Sequence, residues 1–437
     1  MFTKVFVAVL LGSNVVSAQL HSLAVAAGLE YFGTAVDERQ VNDAQYRSFV
    51  DNTAEFGQVV PENGQKWDST ERSQGVFTYT SGDVVPNVAK ANKQILRCHT
   101  LTWHSQLPNW VASGTWTRAQ LTSIIEVHIA NVMAHYLGQC RHWDVVNEAA
   151  DDSGNWRNSI FYQVLGTDYL PISFNAARKA DPATKLYYND YNLEYNGAKT
   201  TRTLEVVNII QAAGAPIDGV GFQGHLIVGS TPGRSALATV LRRFTALNVD
   251  VAFTELDIRH SSLPASADAL VRQGNDYANV VGSCLDVDRC VGVTVWGFTD
   301  KYSWIPQTFS GQGDALLLIR QATRKKAWGE LSRVDLRLLR PPRRTPPAPS
   351  RPPSPPPSPP PRPPRPPRPP RPRQPVRRRP RAPRPAPRPP PPPPAGPRSP
   401  AGANAVATAG RARLSVSALT LARSRTTGTL SAFEVSA

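Results

Sequence analysis

Two stretches of the sequence each run from an apolar strand pattern into a glutamate, Trp143-Asp-Val-Val-Asn-Glu148 and Val251-Ala-Phe-Thr-Glu-Leu-Asp-Ile-Arg259. They lie roughly one hundred residues apart. Their β-branched and aromatic residues are typical of buried strands. Hydrolysis of a glycosidic bond requires a carboxyl group on each side of the sugar, and glutamates at the ends of two strands of one sheet can supply both. The pair therefore predicts a two-carboxylate glycosidase.

The segments around this pair predict the fold. Apolar runs typical of strands recur at residues 31–35, 58–60, 94–98, 142–146, 185–188, 219–222, 250–254 and 291–296. Helical patterns lie between them at residues 43–55, 83–91, 118–137, 160–180, 200–213, 234–247 and 265–281. Thr117 and Gln120 form a capping-box pattern at the start of one helix. Eight strands alternating with helices predict an α/β fold, a (β/α)8 TIM barrel with its active site where the strands end.

The composition of the chain changes abruptly near residue 340. Residues 331–437 hold 22 of the 49 Lys and Arg residues and 2 of the 33 Asp and Glu residues, a net charge of +20. Of the 42 prolines, 33 lie between Pro341 and Pro400. The basic excess therefore belongs to a low-complexity tail, predicted to be an extended polyproline II segment. The mildly acidic remainder is not expected to bind nucleic acid.

Residues 1–18 have the pattern of a secretory signal peptide, with Lys4, an apolar run over residues 5–11 and small residues before Gln19. A buried amino-terminal strand is the alternative. The apolar run is too short to span a bilayer, and no later segment is long and apolar enough. We therefore expect a secreted, extracellular protein that is not bound to a membrane.

Secretion permits disulfide bonds, and Cys284 and Cys290 are close enough in sequence to bridge a short loop. Cys98 and Cys140 have no local partner and are interpreted as buried free thiols rather than a second disulfide. No closely spaced Cys/His quartet exists, so no metal site is expected. Motifs for nucleotide or flavin binding are also missing, and hydrolysis by two carboxyl groups requires no cofactor.

Polar and aromatic residues follow most of the predicted strands. The sequence places there Pro61-Glu-Asn-Gly-Gln-Lys-Trp-Asp68, His99-Thr-Leu-Thr-Trp-His-Ser-Gln-Leu-Pro108, Asn189-Asp190, Gln223-Gly-His225 and Trp296-Gly-Phe-Thr-Asp-Lys-Tyr-Ser-Trp304. A single glutamate at a strand end is often a helix cap, and a single tryptophan is often a core residue. Together, amides and imidazoles for hydroxyl groups and tryptophan faces for pyranose rings indicate a carbohydrate site.

The order and the sequences of these segments resemble those of the fungal family 10 glycoside hydrolases, which are endo-1,4-beta-xylanases. The resemblance runs from about Leu23 to Leu317 and also includes Gly-x-Gly-x-Gln-x-His, Thr-Glu-Leu-Asp and Thr-Val-Trp-Gly. It implies a retaining enzyme that acts on xylan and xylo-oligosaccharides. It further implies that Glu148 is the acid/base and Glu255 the nucleophile. The preference for xylan over cellulose follows from the resemblance alone.

The resemblance also implies supporting roles. Asp257 would orient His225, which would hydrogen-bond Glu255, and Asn147 would contact the 2-hydroxyl of the reacting xylose. An ion pair between Asp257 and Arg259 is the alternative. The other substrate-binding residues implied are Lys66, His99, Trp103, Gln223, Trp296 and Trp304 at the reacting sugar, and Glu62, Asn63 and Gln106 at the next sugar.

The two-carboxylate mechanism gives one electrostatic expectation. In a retaining enzyme the carboxyl groups lie about 5 Å apart. The charge on Glu255 is therefore expected to raise the pKa of Glu148 and keep it protonated until the glycosyl ester forms.

The resemblance ends after Leu317, where the family continues with an aromatic residue, an Asp and a Pro-Ala-aromatic segment that opens the last helix. This chain instead reads Leu318-Ile-Arg-Gln-Ala-Thr-Arg-Lys-Lys-Ala-Trp-Gly-Glu-Leu331. The catalytic domain is placed at residues 19–340, and its last helix is in doubt from about residue 318. A reading-frame change near Leu317 would convert a Thr-rich linker and a binding module into the tail at residues 341–437, and a genuine tail is the alternative.

A genuine tail is expected to bind acidic polysaccharide through its charge. Two alternative functions stay open from the sequence: a catalytically impaired wall-binding protein that uses this tail, and a cellulase or mannanase on the same barrel. Both catalytic glutamates are present, and the segments at residues 62–66 and 223–225 favour a xylanase. By resemblance to the family, a monomer is expected.

Overall fold

Nine strands form the central sheet within residues 19–320 and 323–333, the part of the chain that the computed structural model describes. The strands are β1 (Tyr31–Val36), β2 (Gln58–Pro61), β3 (Ile95–Thr102), β4 (His142–Asn147), β5 (Lys185–Asp190), β6 (Gly219–Phe222), β7 (His225–Ile227), β8 (Asp250–Arg259) and β9 (Cys290–Val295). The predicted signal peptide at residues 1–18 and the predicted tail at residues 341–437 lie outside the described residues.

The sheet closes into a parallel barrel. β1 pairs with both β2 and β9, and β6 pairs with β8, so that eight strands complete the circle. β7 pairs only with the carboxyl-terminal half of β8, with His225 opposite Asp257. The predicted (β/α)8 TIM barrel is thus confirmed, and β7 is an added strand that the sequence pattern did not predict.

Two strands are longer than their apolar runs. β3 continues to Thr102, which pairs with Val146 of β4, and β8 continues to Arg259 because β7 supplies a further pairing partner. The predicted runs ended at residues 98 and 254. Polar or charged residues alternate there with the buried apolar residues Leu101, Leu256 and Ile258. The polar ones carry part of the site described below.

Helices cover the outside of the barrel. They are α1 (Leu20–Ala26), α2 (Glu38–Val41), α3 (Ala44–Val50), α4 (Trp67–Thr70), α5 (Val84–Asn92), α6 (Asn109–Ala112), α7 (Arg118–His135), α8 (Ile160–Leu165), α9 (Tyr169–Ala180), α10 (Ala198–Ala212), α11 (Arg234–Thr245), α12 (Ala267–Leu285), α13 (Ile305–Thr308) and α14 (Lys326–Arg333). Short 3-10 turns lie at Gly166–Asp168 and Leu193–Tyr195. Across the described ranges, no helix has the length and apolar character needed to cross a membrane.

Local sequence explains where two of these helices begin and end. α7 starts at the predicted capping box, in which the Gln120 N–H donates to Thr117 Oγ1 (3.3 Å) and the Thr117 N–H donates to Gln120 Oε1 (3.0 Å). The single helix predicted at residues 160–180 is two helices instead. Gly166 has a φ of 59°, a left-handed value that ends α8 before α9 begins.

The amino end of the barrel interior is filled by large side chains packed against glycines. Tyr31, Tyr187, Ala252 and Val291 form this layer. A Cβ atom at Gly292 would overlap the Tyr31 ring, so only glycine allows this packing. The interior is therefore a solid core below the rim, as in other barrels of this kind.

The segment after Leu317 does form a helix. Ala327 and Leu331 of α14 are buried, and Ala327 lies against Gly274 of α12. Just before α14, Lys325 Nζ lies 2.5 Å from Asp300 Oδ2 in a buried ion pair. The divergent sequence thus still supplies an outer helix at the position where it was in doubt.

Both cysteine pairs form disulfide bonds. The predicted Cys284–Cys290 bond is confirmed, with the Cα atoms 5.2 Å apart. The interpretation of Cys98 and Cys140 as free thiols is wrong, because they form a second disulfide with Cα atoms 5.7 Å apart. Cys98 lies in β3 and Cys140 lies two residues before β4, so pairing of these neighbouring strands brings together two residues that are distant in sequence.

Candidate active site

Both glutamates lie at the carboxyl-terminal rim of the barrel. Glu148 immediately follows β4, and Glu255 lies in the extended half of β8. Neighbouring strands place amides, an imidazole and tryptophans around them. The site is therefore built where the barrel topology predicts chemistry.

The Glu148 carboxylate accepts hydrogen bonds from three sides. Trp103 Nε1 donates to Oε2 at 2.9 Å, and Gln223 Nε2 donates to Oε1 at 2.9 Å. Asn147 Nδ2 also donates to Oε1 at 3.2 Å. These donors come from the ends of β3, β6 and β4, so the position of the carboxylate depends on three separate strands.

The backbone of Glu148 leaves the strand conformation. Its φ is 55°, in the left-handed region that a residue with a Cβ atom adopts only at a cost of about 1–2 kcal/mol. Its N–H donates to the carbonyl of Asn189 at 2.9 Å. This turn sets the direction in which the side chain leaves β4.

The expected rise in the pKa of Glu148 is wrong for the free site. Burial raises this pKa, but positive charge from His104 and Lys199 and the hydrogen bonds from Gln223 and Trp103 bring it below its ordinary value. Burial also lowers the pKa of His104 to about 4, so that this imidazole is neutral near pH 6. At that pH, the Lys199 charge and the two donors therefore favour the ionised form.

Glu255 has a different environment. Asn189 Nδ2 donates to Oε1 at 2.8 Å, and His225 Nε2 lies 3.3 Å from Oε2. The other ring nitrogen, Nδ1, lies 3.0 Å from Asp257 Oδ2, which also accepts from Trp304 Nε1 at 2.9 Å. The geometry thus has an Asp257–His225–Glu255 chain.

The alternative partner of Asp257 is engaged elsewhere. Arg259 Nε donates to Gln312 Oε1 at 2.8 Å, and its guanidinium lies 4.1 Å from the centre of the Phe309 ring. Arg259 therefore points away from the chain of hydrogen bonds that ends at Glu255.

The charge of His225 follows from its two carboxylate neighbours. Burial lowers its pKa, but the charge of Asp257 and the hydrogen bonds to Asp257 and Glu255 outweigh burial and raise the pKa to about 10. The ring is therefore an imidazolium at neutral pH, with both nitrogens donating. A positive charge then lies directly beside the Glu255 carboxylate.

Asn189 connects the two halves of the site, a role more specific than its predicted place among the polar residues at strand ends. Its Nδ2 donates to Glu255 Oε1 and also to Asn147 Oδ1 at 2.9 Å. Thr254 Oγ1 donates to Asn189 Oδ1 at 2.6 Å and fixes the orientation of the amide. Gly221 of β6 leaves the space that this amide fills. Its place beside Asp190 at the end of a predicted strand was the available signal.

A second polar group lines the β2 side of the rim. Lys66 Nζ donates to Gln106 Oε1 at 2.5 Å and to Asn63 Oδ1 at 3.0 Å, and Asn63 Nδ2 donates to Asp37 at 2.8 Å. Gln40 Nε2 donates to Glu62 Oε1 at 3.1 Å. The structure therefore brings the predicted residues Glu62, Asn63, Lys66 and Gln106 together.

The predicted aromatic residues lie between these groups. Trp304 packs edge-on against His225 with 4.9 Å between ring centres, and Trp296 packs against His99 at 5.6 Å. Lys66 Nζ lies 4.9 Å from the centre of the Trp103 ring. His99 is only 2% exposed and its Nδ1 lies 3.0 Å from Asp144, so most of this ring is buried beneath the tryptophans.

Comparison with known proteins identifies the family. The glycosyl hydrolase family 10 profile matches residues 19–333 and so extends past Leu317 through α14. The chain is 66% identical over 332 residues to endo-1,4-beta-xylanase 1 of Humicola insolens, covering 76% of this chain and 77% of that protein.

Solved structures agree with this match. The endo-1,4-beta-xylanase XylE of Penicillium canescens has a TM-score of 0.71 at 38% identity, covering 73% of this chain and 97% of that one. A Bispora sp. MEY-1 xylanase solved with xylobiose has a TM-score of 0.70 at 38% identity, covering 72% of this chain and 99% of that one. The chain therefore belongs to glycosyl hydrolase family 10.

Proposed function

We propose that this chain is an endo-1,4-beta-xylanase that cleaves internal β-1,4 bonds of xylan with retention, with Glu148 as acid/base and Glu255 as nucleophile. The observation that carries the proposal is that both carboxylates lie on one rim and share a hydrogen-bond network through Asn147 and Asn189. The xylanases named above, with up to 66% identity over most of this chain, support the substrate.

In the first step, a Glu255 oxygen attacks the anomeric carbon and forms a glycosyl ester. The bond to the leaving sugar breaks, and its oxygen takes the proton of Glu148. A sugar that covers Glu148 excludes water, and this strengthens the effect of burial that raises its pKa. The acid form needed here therefore belongs to the substrate complex rather than to the free site.

In the second step, Glu148 is the base. It removes a proton from a water molecule whose oxygen attacks the anomeric carbon, and the ester bond to Glu255 breaks. Trp103 and Gln223 already stabilise the ionised Glu148 carboxylate that this step requires. The His225 imidazolium and Asn189 stabilise the carboxylate that Glu255 regains.

The remaining predicted residues hold the sugars. We propose that Asn147 binds the 2-hydroxyl of the reacting xylose, with His99, Trp103, Gln223, Trp296 and Trp304 around that ring. Lys66 would bridge this sugar to the next, where Glu62, Asn63 and Gln106 bind. The contacts of Lys66 with Asn63 and Gln106 support a shared wall for the two sugars.

The test is hydrolysis of xylan and carboxymethylcellulose, with the product anomer followed by proton NMR. We expect reducing ends from xylan, xylo-oligosaccharides as products, and the β-anomer first. An α-anomer as first product would contradict the retaining mechanism, and faster hydrolysis of carboxymethylcellulose would contradict the substrate assignment.

Secretion as a monomer is part of the same proposal, with cleavage of the signal peptide before Gln19. Amino-terminal sequencing of protein from culture medium, together with its mass in solution, tests both points. A terminus other than Gln19 or its cyclised pyroglutamate form would move the cleavage site. A dimer mass would contradict the monomer.

The tail after residue 340 is tested at the transcript. A transcript that encodes Tyr-Asp in place of Ile319 and Arg320 would indicate a reading-frame change. A transcript that encodes the Pro/Arg tract leaves a tail that we propose binds acidic polysaccharide. Its binding to glucuronic-acid-bearing xylan should then weaken as salt concentration rises, because salt screens charge attraction.

A further inference from the structure

Arg157, in the loop between β4 and α8, donates to three successive carbonyl groups. Its Nε donates to the carbonyl of Glu148 at 2.9 Å, its backbone N–H to that of Ala149 at 2.8 Å, and its Nη2 to that of Ala150 at 2.9 Å. A guanidinium presents its donors in a rigid plane, so its two bonds, to Glu148 and Ala150, fix both position and direction. Arg157 therefore holds the segment that follows β4 along its length.

The segment from Glu148 to Ala150 requires contacts from other residues to keep its conformation. Glu148 has a left-handed φ of 55°, and such a conformation persists only where the surroundings impose it. The N–H groups are held as well: that of Glu148 donates to Asn189 O, and that of Ala149 donates to Tyr188 Oη at 2.9 Å. The carboxylate direction of Glu148 thus depends on a backbone turn whose carbonyl side is held by Arg157.

The Arg157 side chain is itself fixed by a further contact, on Tyr191. Its Nη2 donates to Tyr191 Oη at 3.0 Å. The buried Lys199 Nζ lies 3.0 Å from the centre of the Tyr191 ring and 2.9 Å from Asp190 Oδ1. These contacts leave the guanidinium little freedom to rotate away from the carbonyl groups.

We infer that Arg157 is a positioning residue for acid/base catalysis, because it holds the strained turn that aims the Glu148 carboxyl group at the glycosidic oxygen. This inference rests on the proposed role of Glu148. It predicts a defect in proton transfer rather than a general loss of folded enzyme. Nucleophilic attack by Glu255, on a different strand, should be unaffected.

The experiment compares two aryl β-xylobiosides on the same preparation of R157M. Phenol leaves only with protonation, whereas 2,4-dinitrophenol leaves without it. We expect kcat/KM for the phenyl substrate to fall up to about 100-fold, since small misplacement of a catalytic group has effects of this size. For the dinitrophenyl substrate, kcat/KM should change less than about threefold, within the scatter of a substitution that spares the reacting groups.

Azide gives a second readout on the same variant. Removal of base catalysis slows hydrolysis of the glycosyl ester, and azide needs no base to attack it. Azide should therefore raise kcat of R157M with the dinitrophenyl substrate and yield the β-xylobiosyl azide, with no such increase for the wild-type enzyme. A fall by the same factor for both substrates, without azide rescue, would overturn the inference.

Arg178 supplies the matched control. It also donates to two backbone carbonyls, those of Pro182 at 3.0 Å and Thr184 at 2.8 Å, but before β5 at the amino end of the barrel. R178M should lower thermal stability and leave the ratio of the two substrates unchanged. R157K keeps the charge without the planar donors, so it should resemble R157M; a wild-type substrate ratio in R157K would contradict the positioning role.

Two further variants distinguish failure of the proposed role of Glu148 from failure of the inference about Arg157. E148A must itself show the leaving-group dependence and azide rescue, and their absence would contradict the proposed role of Glu148. If E148A shows both and R157M shows neither, only the inference about Arg157 fails. Should R157M not fold, Y191F removes one partner of the guanidinium and should give a smaller shift in the same direction; an unchanged ratio there would count against the inference.

Discussion

Glu148 and Glu255 lie on the same rim, but the chain holds them in opposite ways. Glu255 lies within β8, where the pairing with β9 shifts register between Phe253 and Leu256, and its carboxylate lies beside a charged imidazolium and one amide. Glu148 lies on a strained turn just past its strand, and its carboxylate accepts from neutral donors.

The difference matches what each proposed role demands. The proposed nucleophile attacks through a carboxylate oxygen, and the positive charge of His225 lies beside that oxygen. An acid/base group must gain and lose a proton in each cycle, which neutral donors permit more readily than a salt bridge. The strained backbone at Glu148 and the positive charge beside Glu255 therefore suit the different proposed roles of two carboxyl groups on one rim.

The largest effect is expected for E255A. Removal of the nucleophile should lower kcat on xylan by about 10⁴–10⁶-fold. With a dinitrophenyl xylobioside, azide enters from the face that the carboxylate left and yields the α-azide. NMR of the azide product checks this, and a β-azide would mean that another residue is the nucleophile.

E148A should have a smaller effect that depends on the leaving group. We expect kcat on xylan to fall about 10²–10⁴-fold, the usual contribution of general acid–base catalysis. Azide should attack the glycosyl ester on Glu255 and yield the β-azide, the opposite anomer from E255A. If both variants gave the same anomer, the assignment of two distinct roles would be wrong.

D257N tests whether the positive charge of His225 beside Glu255 contributes to activity. Without the Asp257 charge, the pKa of His225 should fall from about 10 toward its ordinary value, because Glu255 stays beside the ring, so the ring loses its proton as pH rises past neutral. Activity should be near that of the wild-type enzyme at pH 5 and about 10-fold lower at pH 8, in line with the loss of a hydrogen bond to a charged group. A pH–rate profile measures this, and equal loss at both pH values would indicate a structural role only.

The smallest effect on catalysis is expected from the disulfides, which join β3 to the residues before β4 and α12 to β9. The Cys98–Cys140 bond closes a loop with a sequence separation of 42, and Cys284–Cys290 one of 6. Loop entropy predicts that replacing the first pair by serines lowers the free energy of unfolding by about 4 kcal/mol, and the second by about 2 kcal/mol. Urea unfolding measures both, and kcat of the folded variants should stay unchanged.

The sequence predicted the barrel because strand positions depend on local apolar runs. It missed β7 and the ends of β3 and β8 because polar or charged residues interrupt the apolar runs there, and pairing across the rim extends the strands. The Cys98–Cys140 bond was missed because its residues are distant in sequence and become neighbours only when β3 and β4 pair. Adjacency of the third and fourth predicted strands was the available clue.

Within the site, residue types were more predictable than their energetics. The structure brings the predicted residues into one rim. It differs on the pKa of Glu148, because that value depends on Lys199, Gln223 and Trp103, which converge from separate segments. Asn189 was predicted only as one of the polar strand-end residues, and Arg157 received no role, since a loop arginine has no distinctive local pattern.

Gly221 has a consequence for the evolution of the gene. A Cβ atom at this position would overlap the Asn189 amide and lie close to Thr254. Asn189 donates a hydrogen bond to Glu255, and Thr254 orients the Asn189 amide. Every single-base change in the first two positions of a glycine codon encodes either a residue with a Cβ atom or a stop. We therefore expect purifying selection at this codon to be as strong as at the codons for the glutamates themselves.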